Sequence, residues 1–65
     1  MNKRKCDEAL AAMAAVAPRK VSAYIRNLAS AVDHKAYRST FLVNALQSLR
    51  NAGVSVDAFV VAYQE

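Results

Sequence analysis

Pro18-Arg19-Lys20-Val21-Ser22-Ala23-Tyr24-Ile25-Arg26-Asn27-Leu28-Ala29-Ser30-Ala31-Val32 decides how this chain is read. At about 100° per residue, Val21, Tyr24, Ile25, Leu28 and Val32 fall on one stripe. Arg19, Arg26 and Ser30 lie opposite it, with Lys20 and Asn27 at its flank. This is an amphipathic helix with a core face and a basic face. Pro18 ends whatever precedes it, because it disfavours a helical Ala17, and it suits the first turn of the next helix.

Working outward toward the N-terminus, Lys3–Val16 reads as a first helix. Its apolar stripe is Cys6, Leu10, Met13, Ala14 and Ala17. Ala11, Ala12 and Ala15 point away from that stripe. Alanine is the best helix former, which accounts for them on propensity alone; small residues there would also let a second helix approach closely from behind.

In the other direction, residues 30–35 read as a break. Ser30 with Asp33 three later resembles a capping box, and Asp33 could itself cap a third helix. That helix then runs from Lys35 to about Asn51, with Phe41, Leu42, Ala45, Leu46 and Leu49 on its stripe. Without the break, the second and third helices fuse into one long rod. Gly53 comes next as a helix-terminating residue, with Arg50 favourably placed near the negative helix end. The last segment, Val54–Tyr63, supports two readings. Ser55 or Asp57 could cap a short helix burying Val56, Phe59, Val60 and Tyr63, while the alternation of Val54, Val56, Ala58 and Val60 reads as strand. A lone strand would need a partner from another subunit, so helix is preferred.

The chain holds 65 residues, 14 of them alanine, with a single Gly and a single Pro, and 55% are apolar. It is therefore expected to be one all-α domain spanning residues 1–65, a small bundle of three to four short helices. Below about 70–80 residues one core supplies only about 3–5 kcal/mol without a staple. Cys6 and His34 are the only residues of their types, so neither a disulfide nor a Cys/His metal site is available within the chain. Completion by homodimerisation is the remaining expectation.

Enzymatic readings fail on inventory. Five acids, one His and one Cys are scattered over separate segments, and one glycine cannot build a phosphate loop. No cofactor, metal or small-molecule substrate is expected, and Cys6 on an apolar stripe reads as a core residue. Met1–Lys5 followed by Ala9–Ala17 has the outline of a signal peptide, but Asp7 and Glu8 interrupt it where the apolar run should begin. No run approaches the 18 or so apolar residues that span a bilayer. The expected setting is cytoplasmic, away from membranes.

Charge is the remaining clue. Nine Lys/Arg against five Asp/Glu give +4. Residues 1–50 carry all nine cations and three acids, a balance of +6, and residues 51–65 carry only Asp57 and Glu65, a balance of −2. Leu46–Glu65 invites a helix-turn-helix reading, but Ser55, Asp57, Val61, Ala62 and Glu65 are poor side chains for base edges or phosphate. The better candidate is a basic face joining Lys3, Arg4, Lys5, Arg19, Lys20, Arg26, Lys35 and Arg38. Lys35 and Arg38 would stand in the first turn of the third helix, where the macrodipole disfavours cations. Placement against local electrostatics points to an anionic partner, either an acidic protein surface or nucleic acid. The expected function is a small regulator or inhibitor of the phage or mobile-element kind that docks on a protein. The alternative is a nucleic-acid-binding homodimer.

Overall fold

The computed structural model describes residues 1–34 and 39–65, which form four α-helices and one 3-10 turn with no strand among them. In chain order these are α1 (Lys3–Val16), the 3-10 turn (Arg19–Val21), α2 (Ser22–His34), α3 (Ser39–Asn51) and α4 (Asp57–Gln64). Helix α1 packs on both α2 and α4, and α3 packs on α2. The 3.6 Å approach of Lys3 Nζ to Asp33 Oδ1 joins the start of α1 to the end of α2, so these two helices run antiparallel.

Asn2 starts α1. Its Oδ1 accepts the Lys5 N–H at 3.0 Å, filling one of the donors that a helix start leaves open. At the other end Ala17 turns to an extended ψ of 138°, as the following proline requires, while its N–H still reaches the Met13 carbonyl at 2.8 Å. Pro18 does not sit in the first turn of α2. It stays extended at ψ 148°, and its carbonyl accepts the Val21 N–H at 3.1 Å to open the intervening 3-10 turn. The buried face of α1 is Cys6, Ala9, Leu10 and Met13. Ala14 is exposed and Ala17 only half-buried, because α4 packs on α1 and draws its core face toward Ala9.

The stripe through Val21, Ile25, Leu28 and Val32 is buried as expected, joined by Ala31, while Tyr24 is half-buried. The break does not fall at residues 30–34, all of which are helical. Ser30 and Asp33 therefore lie within α2 rather than ahead of a new helix, and Asp33 is exposed and faces Lys3. Lys35, the expected start of the third helix, lies outside the described residues, as does Arg38. Because α2 and α3 pack side by side, a single fused rod is excluded.

Helix α3 contributes Ala45 and Leu49 to the core, with Leu42 and Leu46 half-buried against it. Phe41 does not join them: it stands 42% exposed in the first turn, about 100° round the helix from Leu42 at the flank of the stripe. The helix ends in a Schellman motif. Gly53 at φ +83° lets its N–H reach the Arg50 carbonyl at 2.9 Å and the Val54 N–H reach the Leu49 carbonyl at 3.0 Å. Val54 and Leu49 are both buried, which supplies the apolar contact that accompanies this motif.

Beyond Gly53 the strand reading falls, because Asp57–Gln64 is helical. Neither Ser55 nor Asp57 caps it. Val56 occupies the cap position with no side-chain bond, and Asp57 stands in the first turn, where a carboxylate is favourable. Val54, Val56, Phe59 and Ala62 are buried, whereas Val60 and Tyr63 are half-buried, with the Tyr63 ring stacked on Phe59 at 5.6 Å. The core thus centres on Phe59, Leu28, Leu49, Val32, Val56 and Cys6, and among the described residues no polar or charged side chain is buried.

Candidate functional site

Six of the eight expected cations lie among the described residues, and Arg4 stands well apart from Arg19 and Lys20. Lys3 is occupied: its Nζ donates to Asp7 Oδ2 at 2.9 Å and approaches Asp33 at 3.6 Å, and the Asp7 hydrogen bond is the main reason its pKa is raised. Lys5 Nζ lies 3.4 Å from Glu65 Oε2. Arg4, Arg19, Lys20 and Arg26 are exposed and have no carboxylate at ion-pair distance among the described residues. Arg4 belongs to the first turn of α1, whereas Arg19 and Lys20 come after its last residue. At 1.5 Å rise per residue, α1 holds them about 20 Å apart. Arg19 and Lys20 stand in the 3-10 turn and Arg26 early in α2, all three exposed. Lys35 and Arg38 fall outside the described residues.

A different feature emerges between α1 and α4. The two helices leave an open groove of about 570 Å³ with Ala9, Ala12, Ala58, Val61 and Ala62 along it and Lys5, Glu8, Asp57 and Glu65 at its rim. A recess of about 280 Å³ shares Ala9, Ala12 and Ala58 and runs on toward Met13, Val16 and Phe59. The two form one apolar furrow down the length of α1. Val16 and Val61 stand 71% and 62% exposed along it.

Local sequence explains the furrow. Helix α1 spends its leucine, methionine and cysteine on the core, so the side it turns toward α4 carries alanine. Their short side chains leave a trough where larger ones would fill it. The ends are sealed together: the Asn2 N–H donates to the Ala62 carbonyl at 2.9 Å, and the Met1 amino group donates to the Glu65 carbonyl. Such a surface can take up apolar side chains from another molecule. Its lining offers carboxylates, one ion-paired lysine and the Ser55 hydroxyl. Cys6 is fully buried in the core, where desolvation first, then Asp7, pushes its thiol pKa up.

The furrow was only half visible in sequence. Of Ala11, Ala12 and Ala15, which mark the back of α1 as a surface for close approach, only Ala12 lines it, and Ala9, Ala58 and Val61 complete it. Among the described residues no helix is long and apolar enough to cross a membrane. No known protein family, characterised protein or solved structure matches this chain.

Proposed function

We propose that this chain is a non-enzymatic helical binding protein, a small regulator or inhibitor that docks on a partner protein through the α1–α4 furrow. The observation that carries this reading is the exposure of Val16 and Val61 beside a continuous alanine-lined trough. Burying a valine fully is worth about 1.5–3 kcal/mol, so a partner that covers both gains that stabilisation on binding. The test is a photo-crosslinking residue placed at Val61 or, as control, at Gln47 on the exposed side of α3. Protein adducts from position 61 alone, lost in Ala12→Glu, support docking there. Adducts equal at both positions, or none at either, overturn it.

The second reading is a nucleic-acid-binding homodimer. Five cations without carboxylate partners among the described residues favour it, as do Phe41 and Val43, which stand 42% and 57% exposed on α3, away from the furrow. Arg19, Lys20 and Arg26 from both protomers of the dimer would give a slope of about −5 in log K against log salt on duplex DNA. A slope of that size together with a dimer in sedimentation supports this reading over the first. Absence of binding to DNA or RNA at low salt eliminates it.

A further inference from the structure

We propose that the occupant of the α1–α4 furrow is a basic amphipathic helix of the partner protein, an inference that rests on the docking reading above. The charge around the furrow is opposite to that of the molecule. The chain carries nine Lys/Arg and a net +4, yet among the described residues only Lys5 lines the furrow, and Glu65 neutralises it at 3.4 Å. Glu8 on α1 and Asp57 on α4 line it as well, both exposed and neither with a cation at ion-pair distance among the described residues. The trough therefore offers carboxylates flanking an apolar floor.

That pattern selects its occupant. Ala12 and Ala58 put no bulk between the visitor and the two helices, so a helix can settle at the short end of the usual 8–10 Å spacing. Apolar residues at i, i+3 or i+4, and i+7 would fill the trough beside Val16 and Val61, as helix-in-groove recognition does. Lys or Arg on the flanks of the same helix would meet Glu8 and Asp57. A second copy of this chain is the poorer occupant. A two-fold contact buries the same patch on both subunits, which sets acidic rim against acidic rim.

The experiment uses two synthetic helical peptides about four turns long, with the same Leu/Ala apolar face and flanks of either Lys/Arg or Glu. Each is titrated into the isotopically labelled protein and followed by NMR. The basic peptide should bind saturably, shift the amides of Ala9, Ala12, Ala58 and Val61, and exceed the acidic peptide by about tenfold, as expected for a few exposed rim contacts. Glu8→Lys combined with Asp57→Asn should erase or reverse that preference while leaving helicity unchanged. Should the pair loosen α4, Glu8→Lys alone should still reduce it. Equal binding of both peptides at the furrow overturns the charge rule but leaves furrow docking standing. Binding centred on Arg26 or α3, or no binding by either peptide, overturns the proposal. So does movement of the furrow amides on simple dilution, which would identify a second copy as the occupant.

Discussion

The backbone N–H of Asn2 donates to the carbonyl of Ala62 at 2.9 Å, so the cap residue of the first helix also closes the last. One residue thereby serves two helix ends: its side chain fills an open donor at the start of α1, and its backbone fills an open acceptor in the final turn of α4. Asn2→Ala removes the first and keeps the second. It should cost about 0.5–2 kcal/mol, with about 4–8 °C lost in Tm per kcal/mol, while Asn2→Ser should melt close to the parent. Thermal melts followed by circular dichroism check both, and an unchanged Tm in Asn2→Ala would show that the cap is idle.

The leucines are not equivalent. Leu28 and Leu49 are completely buried, whereas Leu46 is half-buried at the side of α3. Leu28→Ala and Leu49→Ala should each cost about 2–5 kcal/mol, close to the whole stability of a domain this size. Leu46→Ala should cost clearly less. Urea midpoints at constant slope measure the order, and a Leu46 variant as damaging as the other two would contradict the packing of α3.

Gly53 isolates a backbone effect. A Cβ added there would meet nothing within 4 Å, so Gly53→Ala is penalised only through its φ of +83°. The left-handed conformation should cost alanine about 1–2 kcal/mol. Gly53→Asn should be milder despite its larger side chain, since asparagine tolerates this region better. The reverse order would mean that crowding, not backbone conformation, governs the turn.

Cys6 provides a stability reading through pH. Its folded pKa lies above the ordinary 9.0 because burial disfavours the thiolate, with Asp7 adding to the effect. The unfolded chain therefore ionises first. The thiol's contribution is fully present below about pH 9 and is lost as pH rises through the folded value. Unfolding free energy should fall over that range in the parent and stay flatter in Cys6→Ala. Alkylation of Cys6 at pH 8 should be slow in the native protein and accelerate with urea. Fast native alkylation would place the thiol at the surface.

The parts of this fold that obey local rules were legible in the sequence. The spacing of Val21, Ile25, Leu28 and Val32 located the core face of α2, and Pro18 and Gly53 marked the ends of α1 and α3. The failures depended on neighbours. Ser30–His34 looked like a break because Ser and Asp are capping residues, yet in the folded chain Ala31 and Val32 are buried and carry the helix onward past them. Phe41 reads as part of the α3 stripe, but it lies at the stripe's flank, where Leu42 beside it takes the core-facing position. The last segment alternates in a way that suits a strand, and it becomes a helix where Phe59 and Ala62 pack into the core beside α1. The furrow was hidden for the same reason. Lys5 and Glu65 are separated by nearly the whole sequence and meet only when α1 and α4 pack.

The same packing sets the Met1 amino group against the Glu65 carbonyl, and this has a practical side. Joined end to end by a few residues, the chain should tolerate being closed into a circle and reopened elsewhere, since Asn2 and Ala62 are already hydrogen-bonded. The same geometry governs where a fusion or affinity handle can go. Anything attached at residue 1 or residue 65 emerges beside Lys5 and Glu65, at the mouth of the furrow, and competes with whatever the furrow binds. A handle attached at exposed Asn51, at the end of α3, leaves that mouth open. Bait design alone can therefore determine whether a search for binding partners succeeds.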